Sequence, residues 1–211
     1  MSKQRGNLYV FEGPDGVGKS TLAAAFLKVC NEAKKKTVLM TFPGKREGSL
    51  GKCVYELHHS PKSFGVETID PVSLQILHVA AHIDAIRKYI LPSLRSGVHV
   101  ILDRFWWSTW VYGLANGANP LVLKNLIDIE IQEWTDIRPT LAFLIQRKTP
   151  FRASPEHDKW TFLCNEYSQL CKSEAAEYPV HICSNELPVE QIAQELYKKL
   201  LPQLPNLQDS Q

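Results

Sequence analysis

Residues Gly13-Pro14-Asp15-Gly16-Val17-Gly18-Lys19-Ser20 satisfy G-x-x-x-x-G-K-[ST] at every fixed position. A glycine-rich turn between a strand and a helix exposes successive backbone N–H groups at the positive end of the helix dipole. That arrangement holds phosphate oxygens. In this pattern Lys19 reaches the β- and γ-phosphates of a nucleotide, and the Ser20 hydroxyl ligates Mg²⁺. Gly13, Gly16 and Gly18 make the tight turn, and Asp15 and Thr21 complete the nucleotide-binding set.

Three further segments carry charge suited to the same chemistry. Asp103-Arg104 pairs an acid that can share a magnesium shell with the loop serine and an arginine that can grip a phosphate in two places. Phe42-Pro43-Gly44-Lys45-Arg46 puts two cations in a turn, where Lys45 and Arg46 can clamp the phosphate of a second substrate; the alternative is a solvated basic loop. Arg147, Lys148 and Arg152 precede a helix start signalled by Ser154 as N-cap and Pro155 at the first helical position. Charge builds on the equatorial oxygens of a transferring phosphoryl group, and an arginine on a mobile segment stabilises it. Arg147 or Arg152 is the candidate for that role; ordinary surface charge is the alternative.

The stretch Phe105-Trp106-Trp107-Ser108-Thr109-Trp110-Val111-Tyr112 holds three of the five tryptophans. One helical face of it can stack on a nucleobase, with the other in the core. His78 and His82 stand at i and i+4, but without a third ligand they read as a packed or exposed pair rather than a metal site.

These groups need a scaffold that brings chain-distant turns together. Leu8–Phe11 reads as a short buried strand before the loop, and the segment from Leu22 to Cys30 as the helix after it. Further strands are expected at Thr37–Thr41, Val98–Leu102, Leu141–Ile145 and Val180–Ile182. Helical patterns fall near 49–59, 72–96, 106–116, 120–135, 156–175 and 188–201, with Pro92 kinking or breaking the long one. Continuous apolar strands alternating with helices predict an α/β fold: a five-stranded parallel sheet covered on both faces. Ligands then sit at the carboxyl ends of the strands, which is where the charged turns fall.

The chain has 211 residues and a net charge of +2, which suits a single domain over 1–202 and gives no reason to expect a nucleic-acid partner. A lid is expected near 147–158 and a frayed tail at 203–211. Five cysteines without C-x-x-C spacing read as free thiols of a reducing, cytoplasmic setting. No apolar leader and no run of membrane-spanning length is visible, so no membrane partner is expected.

Taken together and in order, these motifs resemble the thymidylate kinase family of P-loop nucleoside monophosphate kinases. Phe11 to Thr21 resembles its phosphate loop, Thr41-Phe42-Pro43-Gly44 its second-strand motif, and Asp103-Arg104-Phe105 its Asp-Arg-Tyr, with Ser108 at family spacing and Arg138-Pro139 before the fourth strand. The resemblance implies transfer of the γ-phosphoryl group of ATP, with Mg²⁺, to a nucleoside monophosphate: dTMP, or a related or modified deoxynucleotide. It implies that Asp15 meets the acceptor sugar, that Arg104 with Lys45 or Arg46 holds the acceptor phosphate, and that Ser184-Asn185 lie near the adenine. Gly16 stands where some members carry a loop arginine, so a lid arginine is expected instead. A homodimer through the long helices is also implied, although core burial explains their apolar face equally well.

One departure stands out. The family carries an arginine after the small pair of its long helix, which reads the thymine edge. Counting back from Gly97 puts Ile83 there, with His82 before it, and Val79 at the stacking aromatic. His82, Trp107 and Tyr112 are therefore the expected base-side residues. Two other readings stay open: a kinase of a nucleoside or other small molecule, and a non-catalytic NTP-binding regulatory module.

Overall fold

The computed structural model describes residues 4–151 and 157–200. Arg152, Ser154, Pro155 and the tail expected at 203–211 lie outside the described residues. Five strands, β1 (Leu8–Glu12), β2 (Thr37–Thr41), β3 (His99–Asp103), β4 (Leu141–Gln146) and β5 (Val180–Ser184), form one parallel sheet in the order β2-β3-β1-β4-β5. The α/β architecture expected from the alternating pattern is the one observed. Each strand runs one or two residues further toward its carboxyl end than the apolar run alone indicates, except β2, which keeps the expected bounds.

Around the sheet lie α1 (Lys19–Glu32), α2 (Leu50–His59), α3 (Pro71–Ala85), α4 (Leu91–Arg95), α5 (Trp106–Ala115), α6 (Pro120–Glu133), α7 (His157–Glu174) and α8 (Val189–Lys198). No helix among the described residues is long and apolar enough to cross a membrane. The two sheet faces build two cores. Alternate residues of β1 serve each: Leu8 and Val10 pack with Trp107, Val111, Ile127 and Tyr167, whereas Tyr9 and Phe11 pack with Leu22, Phe26, Ile192 and Leu196. Burying both faces is why β1 is fully buried and apolar up to its closing Glu12.

The long helix is interrupted. Between α3 and α4, residues Ile86–Ile90 form a π-helical turn, and the Leu91 N–H bonds back to the Ile86 carbonyl, five residues earlier. Pro92 follows at once. It has no N–H to donate and its ring crowds the carbonyl four residues back, so widening the turn ahead of it relieves both problems. The consequence is a change of register: α3 is rotated relative to the face a uniform helix would present.

Candidate active site

The parallel register delivers the carboxyl ends of β1, β2 and β3 side by side, with Phe11 opposite Asp103 and Asp103 opposite Thr41. The phosphate loop leaves central β1 and enters α1 through Gly18, which caps the helix in a left-handed conformation at φ 86°. Neighbours fix this path. A Cβ on Gly13 would lie 2.3 Å from the Ile145 carbonyl oxygen, and one on Gly18 2.5 Å from Asn185 Nδ2. That same Nδ2 donates to the Val17 carbonyl at 2.6 Å, tying the end of β5 to the loop. The Phe151 N–H donates to the Gly16 carbonyl at 2.8 Å, so the segment after β4 closes over the loop as well.

Lys19 is 4% exposed and curls over its own loop, donating to the Pro14 carbonyl at 2.7 Å, with Asp15 at 3.7 Å. Burial and the nearby Arg104 charge push its ammonium down to about 8, against the pull of Asp15, Asp103 and Glu12. A phosphate in the loop would supply the counter-charge this buried cation needs. Ser20 Oγ donates to Asp103 Oδ2 at 2.6 Å. The other oxygen, Oδ1, is buried without a hydrogen-bond partner among the described residues. A hydroxyl and a carboxylate with one uncommitted oxygen form a hard oxygen donor set that suits Mg²⁺.

Arg104 has a backbone φ of 76°, a left-handed conformation that costs a non-glycine residue about 1–3 kcal/mol. The twist is held by its N–H, which bonds the Phe11 carbonyl at 3.0 Å. Its guanidinium forms an ion pair with Asp15, donates to Ser108 Oγ at 3.0 Å and sits 5.4 Å from the centre of the Tyr112 ring. Burial opposes the charge, yet Asp15, Tyr167, Tyr112 and Glu12 together raise its pKa above the ordinary value. Burial likewise opposes ionisation of Asp15, but Arg104 and Lys19 hold its carboxyl below the usual range. The Asp15 N–H also donates to the Tyr112 hydroxyl at 2.8 Å.

Behind this layer stands Glu12, which the motifs did not single out. Its fully buried carboxylate accepts from the Phe105 N–H at 2.7 Å, the Ser108 N–H at 3.0 Å and Ser108 Oγ at 2.8 Å. It therefore anchors the first turn of α5 to the end of β1. Burial pushes its pKa up to about 6, with Arg104, Ser108, Lys19 and Phe105 pulling the other way. Tyr167 completes the group through a 2.9 Å contact with Ser108 Oγ. An acid closing an otherwise apolar strand next to the glycine turn is the signal that could have marked Glu12.

A cleft of about 730 Å³ opens beside the loop and brings together Asp15, Ser20, Phe42, Lys45, His82, Asp103, Arg104, Ser108 and Tyr112. Gln75, His58, His59, His78, Thr109 and Lys159 also line it and were not anticipated as ligand contacts. His82 lines it, as expected, and so does His78, whereas Ile83 and Val79, which the count back from Gly97 placed at the family's arginine and aromatic, do not. His82 stacks on Phe42 and its Nδ1 lies 2.8 Å from Glu130 Oε2 on α6, both side chains buried. Burial, with His82, His58 and Arg104 nearby, pushes the His78 imidazole down to about 3, so it is neutral at physiological pH.

Other expected residues lie elsewhere. Trp107 is fully buried, donates its indole N–H to the Tyr178 hydroxyl at 3.0 Å and belongs to the core. The Arg46 guanidinium packs 4.6 Å from the centre of the Tyr89 ring, away from the cleft lining, while Lys45 sits over Tyr55 at 4.4 Å within it. Arg147 lies on the loop side, bonded to the Asn185 carbonyl, 3.5 Å from Glu186 and stacked 3.8 Å from the centre of Phe151. Thr21 and Ser184 are exposed near the loop, and Asn185 is buried.

The family profile described as thymidylate kinase matches residues 11–155. The probable thymidylate kinase of Archaeoglobus fulgidus is 26% identical over 196 residues, 90% of this chain and 93% of that protein. The thymidylate kinase of Legionella pneumophila (strain Paris) is 30% identical over 152 residues, 68% of this chain and 70% of that protein. The crystal structure of thymidylate kinase from Ehrlichia chaffeensis shares the fold with a TM-score of 0.75 at 22% identity, covering 93% of this chain and 99% of its own. The profile match runs unbroken from the loop through the cleft helices to the segment after β4, and it decides among the readings the sequence left open: the chain belongs to the thymidylate kinase family and is a nucleoside monophosphate kinase.

Proposed function

We propose that this chain transfers the γ-phosphoryl group of ATP to the phosphate of dTMP, or of a closely related deoxynucleoside monophosphate, seated in the 730 Å³ cleft. The observation that carries this reading is the Ser20–Asp103 pair, with one carboxylate oxygen uncommitted, standing between the phosphate loop and Arg104. The backbone N–H groups of Gly16 to Ser20 and the Lys19 ammonium receive the triphosphate. Ser20 and Asp103 would hold Mg²⁺, which would supply positive charge to neutralise the phosphates. Arg104, oriented by Asp15 and Ser108, meets the acceptor phosphate with Lys45. Asp15 would then exchange its ion pair with Arg104 for the acceptor sugar hydroxyl. Asn185 and Ser184 flank the adenine side, and Arg147 or Arg152 stabilises the transferring group. Catalysis here is positioning plus charge neutralisation, because phosphoryl transfer asks for little covalent chemistry from the protein.

At the base, a neutral His78 face and the His82–Glu130 pair stand where the family arginine and aromatic are expected, so the acceptor ring is held without an arginine. The family homodimer would use the exposed apolar side chains of Ile76 on α3 and of Leu121 and Ile129 on α6. A cytoplasmic setting suits the five free cysteines. The deciding experiment is ADP release from Mg·ATP with a panel of deoxynucleoside monophosphates. Stimulation by dTMP or a relative is expected, and a flat response across the panel overturns the reading.

A further inference from the structure

Gln75 lines the cleft with an amide that no described residue engages. It is 4% exposed, it faces the cleft, and its amide makes no hydrogen bond to any described residue. The amide opens onto the cleft, so its donor and its acceptor are both free to meet a ligand there. Gln75 stands three residues before His78 on the same cleft-facing side of α3, so the amide and a neutral imidazole ring lie next to each other one helical turn apart. His82, seven residues on, is already committed to Glu130 and Phe42. The wall is thus a flat uncharged ring beside an uncommitted amide.

We propose that the Gln75 amide reads the base edge of the acceptor, and that it accepts 4-keto and 4-amino pyrimidines alike. The inference rests on the nucleoside monophosphate kinase reading above and assigns the base-recognition residue within it. A primary amide presents one acceptor and one donor side by side. Thymine and uracil offer an N3–H donor beside an O4 acceptor; cytosine offers an N3 acceptor beside a 4-amino donor. Each edge matches the amide in one of two orientations related by a half-turn of its last torsion, which is broad and roughly two-fold. No described residue pins the Gln75 amide in either orientation. A guanidinium, by contrast, only donates, and would favour the keto edge. The neutral His78 adds a surface for the ring without adding a charge that prefers one edge.

The test measures kcat and KM of the full-length protein with Mg·ATP and dTMP, dUMP or dCMP, for wild type, Gln75→Leu and Gln75→Met. Wild type is expected to use the keto and amino pyrimidines with kcat/KM values within about tenfold of each other. Both variants are expected to lose 10²-fold or more in kcat/KM for all three, mostly through KM, because a polar edge then faces an apolar side chain; KM for ATP and Tm should stay near wild type. A wild-type preference above 10³-fold for one edge overturns the amide-flip claim, and unchanged acceptor KM in a folded variant overturns Gln75 as the reader, with phosphoryl transfer intact in either case. Transfer to no nucleotide in the wild type instead overturns the kinase reading, and this inference with it.

Discussion

The His82 imidazole lies flat on the Phe42 ring, centroids 4.0 Å apart and planes 10° from parallel, while its Nδ1 contacts Glu130 Oε2 at 2.8 Å. Three elements meet in this one contact: the turn after β2, α3 and α6. Removing the carboxylate leaves a buried ring nitrogen unpaired, so Glu130→Ala should destabilise the protein by about 1–3 kcal/mol and raise acceptor KM while leaving KM for ATP alone. Denaturant unfolding with two-substrate kinetics checks both halves.

Lys19→Met separates stability from chemistry. The ammonium is buried and its pKa is depressed to about 8, so the folded apo protein holds this charge at a cost. The unfolded chain keeps the proton to a higher pH, so Lys19 adds stability as pH rises from about 8 toward the ordinary lysine value. The variant should lose that rise, keep or gain Tm at neutral pH, and lose about 10²–10³-fold in kcat. Thermal scans across pH and steady-state turnover give the two readouts.

Asp103→Asn leaves a side chain of the same shape that still contacts Ser20 but carries no charge. The dependence of rate on Mg²⁺ should move to concentrations about tenfold higher or more, with stability changed by no more than about 1 kcal/mol. A magnesium titration of the rate is the measurement; an unshifted curve would remove Asp103 from the metal shell.

Glu12 predicts an unusual pH slope. Its folded pKa, about 6, lies above the ordinary value of 4.5, so the folded state holds the proton longer than the unfolded chain. Its contribution to stability is therefore fully present below about 4.5 and is lost as pH rises through 6, a change of about 2 kcal/mol for a shift of this size. Glu12→Gln should flatten that segment of the curve. Subtracting the variant's stability–pH profile from the wild type isolates it from the other carboxylates, Asp15 among them, whose shift has the opposite sign.

Trp107→Phe tests whether the aromatic stretch reaches the substrate. The ring is fully buried and its N–H bonds Tyr178. Losing that bond and some volume should cost about 1–3 kcal/mol without altering acceptor KM. A raised KM at unchanged Tm would return Trp107 to the cleft.

The sequence by itself determined what is local. Glycine and lysine spacing set the loop, continuous apolar runs set the five strands, and the acid and bases at strand ends could be placed because a parallel sheet collects those ends on one side. Tertiary structure decided what depends on partners far along the chain. Glu12 meets Ser108 across 96 residues and His82 meets Glu130 across 48, and no local pattern encodes such pairings. Trp107 faces the core and Gln75 the cleft for a related reason: a helix's periodicity says which residues share a face, and packing says which face is inside. The π turn before Pro92 shows the limit most sharply. No local pattern announces that wide turn, and only the folded chain shows that Leu74, Gln75, His78 and His82 form the side of α3 that lines the cleft. Backbone hydrogen bonding and proline sterics shape the helix over a single turn, whereas which side chains line the cleft depends on packing against elements far along the chain.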